Sequence, residues 1–220
     1  MDSRGVIRYL TAEEEKTLRD ALVARDEKRR QERDSANAWR RERRHAEWPE
    51  FGVYTDHLQP LVLLAMNTGM RRGELFKLQW RDVELVGGMV TVRGEGAKNS
   101  QTRHIPLNTE AIAVLKAWKQ ALPTVVDVEK SGDYVFPSPH VENQPLDDIK
   151  KGWLPLLVTA GIKRFRFHDL RDHFASRLVQ AGIDLNTVRE LLGHSDIKMV
   201  LRYAHLAPEN VRAYAKWLTA

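Results

Sequence analysis

The sequence predicts an α+β fold, mainly α-helical, with one small three-stranded antiparallel sheet. Three observations predict it. Apolar residues recur at helical spacing along most of the chain; the period drops to two only between Val83 and Leu107; and that stretch contains Gly87-Gly88, a pair suited to a tight hairpin turn.

Taken in order, Leu10-Thr11-Ala12-Glu13-Glu14 opens a first helix, with Thr11 as N-cap and Glu14 at the capping-box position, ahead of Leu18, Ala21 and Leu22. Residues 25–44 carry 9 basic and 5 acidic side chains and little that is apolar beyond Ala36, Ala38 and Trp39. This charged extension, about 25–48, reads as a solvated helical continuation or a loop, with a nucleic-acid arm as the minority reading. Residues 58–66 form a buried helix stopped by Gly69, and Arg71-Arg72-Gly73-Glu74-Leu75 opens a second amphipathic helix through Leu78 and Trp80. Strands follow at 83–86, 89–92 and 103–106. Further helices are expected at 112–122, 149–160, 170–181, 186–192, 196–203 and 209–218, with Ser195 as the N-cap of the helix at 196–203. The whole of 1–220 reads as a single domain.

Composition narrows the function. The 220 residues are 42% hydrophobic and 30% charged, which excludes disorder throughout. With no cysteine, a disulfide scaffold, a thiol nucleophile and sulfur-ligated zinc are excluded. No apolar run is long enough for a membrane span and the start lacks a secretory signal, so no membrane partner and a cytoplasmic, nucleoid-associated location are expected. The formal net charge is +5, and the last 70 residues hold 11 Lys or Arg against 6 Asp or Glu. A polyanionic partner fits that bias.

Several polar residues stand at structural breaks. Arg71 follows Gly69 and Met70, so the break aims an arginine at a helix start, with Glu74 one turn on to hold the guanidinium; Arg72 is its rival. Lys98 lies in the hairpin loop between Gly94 and Gln101. His168 and Arg171 share a helix face, His194 follows Gly193 in a tight inter-helix corner, and Tyr203 follows an amphipathic turn. Each alone reads as a solvated or packed side chain. Together, arginines, histidines and a lysine are donors suited to a pentavalent phosphoryl centre, and Tyr203 is a candidate nucleophile whose product is a phosphotyrosine ester. A metal-dependent nuclease built on Asp169 and His173 lacks a third clustered carboxylate, so no metal and no cofactor are expected.

The set Thr68-Gly69-Met70-Arg71-Arg72-Gly73-Glu74-Leu75, Lys98 ahead of Arg103-His104-Ile105-Pro106-Leu107, His168-Asp169-Leu170-Arg171, Leu192-Gly193-His194 and Arg202-Tyr203-Ala204-His205-Leu206 closely resembles the catalytic domain of the tyrosine recombinases, or phage integrases. The resemblance runs from about Leu10 to Pro208 and is specific because the five pieces agree in order and spacing. It implies that Arg71 and Arg171 clamp the scissile phosphate of double-stranded DNA, that Lys98 is the general acid toward the 5′-hydroxyl and that His168 handles a proton beside the nucleophile. It further implies that His194 donates to a phosphate oxygen and that Tyr203 forms a 3′-phosphotyrosine link, with Glu74 in support. Self-association into a tetramer on DNA is implied for a full-length form. Family members usually carry a core-binding domain ahead of the Leu-Thr-x-x-Glu opening, so an excised or truncated catalytic domain with an incomplete grip on DNA is expected. A type IB topoisomerase-like relaxing enzyme and a non-catalytic module reading DNA through the helix–corner–helix at Gly193 are the alternatives.

Overall fold

The computed structural model describes residues 7–94, 102–125 and 133–208. Thr11 caps α1 (Ala12–Glu42): its hydroxyl accepts the Glu14 N–H at 3.1 Å while the Glu14 carboxylate accepts the Thr11 N–H at 3.0 Å. Leu18, Ala21 and Leu22 form the buried stripe of this helix. Beyond Leu22 it runs on as helix to Glu42, so the charged extension is a helical continuation. At 31 residues α1 is about 46 Å long.

The distal half of α1 is held by the segment that doubles back along it. Asn37 takes both backbone groups of Trp48, donating to its carbonyl at 2.8 Å and accepting its N–H at 2.8 Å. Arg30 donates to the Gly52 carbonyl at 3.0 Å and Arg33 to the Pro49 carbonyl at 2.6 Å, with the Arg33 guanidinium 3.9 Å from the Phe51 ring centre. Nearer the core, the buried carboxylate of Asp26 accepts the Thr55 N–H at 3.0 Å, and Arg25 forks onto Asp56.

The returning chain enters α2 (Leu58–Thr68), whose residues 61–66 are all buried because α4 (Thr109–Val125) and α6 (Asp169–Gln180) cover it. It ends at Gly69 with φ +61°, as the sequence predicts. The next helix, α3 (Arg72–Phe76), is shorter than expected. The cause is a competing partner: the Leu78 carbonyl accepts the Val135 N–H and the Trp80 N–H donates to Asp133, both at 2.8 Å, which draws the backbone out of the helix. A 3₁₀ turn over Trp80–Asp82 leads into the sheet.

That sheet has the order β1 (Val83–Glu84), β2 (Met89–Val92), β3 (Arg103–Pro106), antiparallel throughout. Val90 faces Ile105 and Val92 faces Arg103 in register, so Val90, Val92, Ile105 and Arg103 share the inward face. After α4, the chain forms α5 (Lys150–Thr159), α6, and α7 (Leu185–Leu192), which Asp184 caps by accepting the Asn186 and Thr187 N–H groups at 3.0 and 2.9 Å. Helix α8 (Lys198–Leu201) is half the expected length, and Ser195 is not its cap; the N-cap position is Ile197, and the Asp196 carboxylate accepts the Lys198 N–H at 2.9 Å. The early stop turns Tyr203 inward, ahead of a 3₁₀ turn over Ala204–Leu206. The helix expected at 209–218 lies outside the described residues.

Most of the chain shares one core, built on α2 and including Trp118, Phe136, Trp153 and Leu170. A smaller cluster of Ala175, Val179, Val188, Leu192, Val200 and Tyr203 joins α6 to α7 and α8. The candidate site lies where the helix ends of these two cores meet.

Candidate active site

Two glycine-capped helix ends build the site. Gly69 closes α2 two residues before Arg71, and Gly193 closes α7, with φ +65°, one residue before His194. Neither glycine is replaceable at no cost, since a Cβ on Gly69 would sit 2.4 Å from the Phe174 ring and one on Gly193 would sit 2.9 Å from Cδ of Arg103. Arg171 ties the two ends together. Its guanidinium donates to the Gly69 carbonyl at 2.7 Å and to the Leu192 carbonyl, so one cation caps the negative ends of two helices.

Arg171 is 4% exposed, and its nearest neighbours include further arginines. Burial first, then the charges of Arg71 and Arg103, push its pKa down to about 9, against the opposing pull of Glu74. It is charged at neutral pH, without a carboxylate hydrogen-bonded to it among the described residues. His194 follows the same logic. Burial, then Arg171, Arg71, Arg103 and Arg202, push its imidazole down to about 4, so the ring is neutral at pH 7; its Nδ1 is buried with no hydrogen-bond partner.

Arg71 is held by Glu74 alone in its own helix turn. The Glu74 carboxylate accepts the Arg71 backbone N–H at 2.7 Å and its Nη1 at 2.9 Å. Burial pushes the Glu74 carboxyl up, but the hydrogen bonds and charge of Arg103, then those of Arg71, hold it below its ordinary value, so it is ionised. Arg72, the rival in the sequence, points away: it is exposed and stacks over the Phe76 ring at 5.8 Å. Arg71, Glu74, Arg103 and His194 line one cleft of about 1700 Å³ between α3, the β2–β3 hairpin and α7, to which Lys77, Arg81, Arg93 and Arg189 add positive charge.

Of the remaining expected residues, Tyr203 lies near enough to Arg171 to feel its charge. Tyr203 is 1% exposed, and its hydroxyl donates to the carboxylate of Asp172. Burial, then that hydrogen bond and the Asp172 charge, push the phenol pKa up, while Arg202 and Arg171 pull it down. His168 is exposed at the N-cap position of α6 and makes no capping hydrogen bond. Lys98 lies outside the described residues. Asp169 and His173 are both buried, with Asp169 bonded to Arg166 and His173 3.5 Å from Glu15. Among the described residues no three His, Asp or Glu side chains group where they could hold a metal ion.

Two residues at the site escape the sequence reading. Arg103 carries a signal, since it stands two positions before the buried Ile105 in β3 and so falls on the inward face. Asp172 carries none, because its pairing with Tyr203 spans 31 positions and two helices.

The phage integrase family matches residues 53–210. The integrase of Salmonella phage P22 is 35% identical over 162 residues, covering 72% of this chain and 42% of that protein. Tyrosine recombinase XerC of Xanthomonas campestris pv. campestris (strain B100) is 36% identical over 148 residues, covering 66% of this chain and 43% of that protein. The chain thus spans less than half the length of these curated relatives. Among solved structures, the XerA recombinase superposes with a TM-score of 0.65 at 23% identity over 97% of this chain and 65% of that one. The catalytic domain of bacteriophage HP1 integrase gives 0.60 at 20% identity over 96% of this chain and 95% of that one. These likenesses establish the shared fold. With the family matched over more than half of its length, the chain belongs to the phage integrase family.

Proposed function

We propose that this chain is the strand-cleaving and strand-joining domain of a site-specific DNA recombinase. The observation that carries the reading is the convergence of Arg71, Arg171 and His194 on two glycine-capped helix ends joined by Arg171 itself. Arg71 and His194 in a cleft with an excess of positive charge, with the buried Arg171 cation behind them, suit a phosphodiester whose charge grows in the transition state. Related structures support the DNA partner: the Tn1549 transposon integrase is described in complex with circular intermediate DNA, and the XerH recombinase bound to its difH substrate.

In this reading the Tyr203 oxygen attacks phosphorus, the phenol proton leaves to a base, and the bond from phosphorus to the 5′-oxygen breaks, with Lys98 supplying the proton to that oxygen. The arginines neutralise the non-bridging oxygens, and the neutral His194 ring adds an N–H donor. Because a phosphotyrosine ester keeps the energy of the broken bond, the reverse attack by a 5′-hydroxyl rejoins the strand. In the conformation described, Tyr203 is bound to Asp172. Self-association into a tetramer and an upstream DNA-binding domain belong to the same proposal for a full-length protein.

The test starts by selecting a target from a random duplex pool. A nicked duplex of the selected sequence then traps the covalent intermediate, read as a protein–DNA adduct on a denaturing gel. The wild-type protein is expected to form it and Tyr203→Phe to bind without forming it. An adduct in Tyr203→Phe moves the nucleophile to another residue, and binding with no adduct in either leaves the non-catalytic reader as the better account. Exchange of strands between two sites separates a recombinase from a relaxing enzyme.

A further inference from the structure

The Arg103 side chain is nearly as buried as Arg171, at 10% exposure, and all of its hydrogen bonds go to the site. Its Nη1 and Nη2 fork onto the two oxygens of Glu74 at 3.0 and 2.7 Å, and its Nε donates to the Leu191 carbonyl at 2.9 Å. Its Cδ and Nη1 lie against Gly193, where an added Cβ would meet them at 2.9 and 3.0 Å. One guanidinium thus touches the partner of Arg71 and the backbone on both sides of Leu192, directly before His194.

From this geometry we infer that Arg103 is the positioning residue of the phosphate-binding corner: it occupies Glu74 so that Arg71 remains available to a ligand, and it braces the turn that presents His194. The inference builds on the recombinase reading above. Glu74 has about four acceptor positions, and the structure fills them with the Arg71 N–H, the Arg71 Nη1 and the two Arg103 donors. With Arg103 gone, both oxygens are free to close on the Arg71 guanidinium as an internal fork. That ion pair competes directly with a phosphate for the same donors. On the other side, loss of the Nε contact leaves the Leu191 carbonyl, in the last turn of α7, without its side-chain donor. Lysine cannot substitute, because a single ammonium cannot span two carboxylate oxygens and a carbonyl in fixed directions.

The experiment compares wild type, Arg103→Ala and Arg103→Lys on the nicked duplex selected above and on a duplex whose scissile phosphate is a methylphosphonate. The methylphosphonate lacks the negative charge that the arginine clamp serves. On the phosphate, Arg103→Ala is expected to slow adduct formation by up to about a hundredfold, the loss expected of a clamp held slightly out of place. On the methylphosphonate its deficit shrinks, as does that of Arg71→Ala, and Arg103→Lys recovers little on either duplex. An equal deficit on both duplexes, or wild-type rates in Arg103→Lys, overturns the inference. A second readout needs no target DNA: in Arg103→Lys, which keeps the charge, NMR signals of the Arg71 guanidinium and the His194 ring are expected to shift together while core resonances stay in place. Unchanged Arg71 and His194 signals overturn the inference whatever the adduct assay gives. If wild type forms no adduct, the recombinase reading fails on its own, and the NMR comparison still decides the role of Arg103.

Discussion

Arginine dominates two regions of this molecule, the distal half of α1 and the cleft, and the two use it in opposite ways. Along α1, Arg25, Arg30 and Arg33 are consumed by the returning segment, on a carboxylate, on backbone carbonyls and on the Phe51 ring. The electrostatics agree for Arg25, where burial pulls the guanidinium pKa down but the Asp56 and Asp26 contacts more than offset it. Behind the cleft, Arg171 is bonded to neutral carbonyls alone, so its charge is held in place without being cancelled, and its pKa is pushed down. The lesson concerns reading charge from sequence. A dense basic run is a fastening when each donor is met by a carboxylate, a carbonyl or a ring; at the site one carboxylate, Glu74, is shared by Arg71 and Arg103 while Arg171 meets carbonyls only, so positive charge is left over for an anion.

The sharpest way to break this comparison is to remove one arginine from each region. Arg171→Ala is expected to lower the rate of adduct formation by about a hundredfold to a thousandfold or more, and to lower stability as well, because the Gly69 and Leu192 carbonyls lose their donor. Arg33→Ala removes one carbonyl contact and the stacking on the Trp48 and Phe51 rings, each ring contact worth about 1 kcal/mol, and leaves the rate unchanged. Thermal unfolding and the suicide-substrate rate, measured on both variants, check the pair. Equal effects on cleavage would erase the distinction between the regions.

The glycine caps come next in size. Gly69→Ala meets a left-handed φ of +61° and the Phe174 ring at 2.4 Å, whereas Gly73, in α3 with nothing within 4 Å of its Cβ position, accepts alanine freely. Gly69→Ala is expected to destabilise by about 1 to 3 kcal/mol and to slow cleavage by displacing Arg71. Gly73→Ala is expected to be neutral or slightly stabilising. Chemical denaturation curves of the two variants make the comparison, and a harmless Gly69→Ala would mean that the α2 end does not set the position of Arg71.

Local signals made much of this fold legible in the sequence. Thr11 and Glu14 announced the start of α1, Gly69 and Gly193 announced the ends of α2 and α7, and alternation with Gly87-Gly88 announced the sheet. Helix ends decided by distant partners were not legible. Nothing near Leu78 says that residues 133–135 will pair with it, and nothing near Asn37 says that Trp48 will take both ends of its amide. The site divides the same way: the glycine break flags Arg71 with Arg72 as its rival and the family resemblance favours Arg71, but the sharing of Glu74 between Arg71 and Arg103 depends on a strand 29 residues downstream.

A pH titration sharpens the account of the cleft. His194 has its pKa pushed from 6.5 to about 4 in the folded chain, so between those values the unfolded chain binds a proton that the folded chain refuses. This group therefore removes stability as pH falls through that window and contributes no pH dependence above it. A bound phosphate reverses part of the effect by placing negative charge beside the ring, so the complex takes up the proton more readily than the free protein. Affinity for duplex at fixed salt is expected to rise as pH falls from about 7 toward about 5, and His194→Gln is expected to flatten that rise. Anisotropy titrations across the window check it; a slope that survives in His194→Gln would assign the proton to another group.

The smallest expected effect on cleavage tests the fastening role of the extension. Asn37 is 5% exposed in a segment whose neighbours face solvent, and its amide replaces the backbone partners that Trp48 would find in a strand. Asn37→Ala strips both bonds at once and costs about 1 to 3 kcal/mol locally, because the Trp48 backbone groups must reach water again. The loss is confined to the α1 hairpin, since the contacts that join α1 to the core through Leu18, Ala21 and Leu22 lie more than a dozen residues away. Hydrogen exchange is therefore expected to rise at residues 46–53 and in the last turns of α1, with protection in α2 and the adduct rate unchanged. Should the adduct rate fall with the loosened hairpin, the arginines of α1 would be more than fastenings, and the hairpin would have to contact DNA or a second copy of the chain during the reaction.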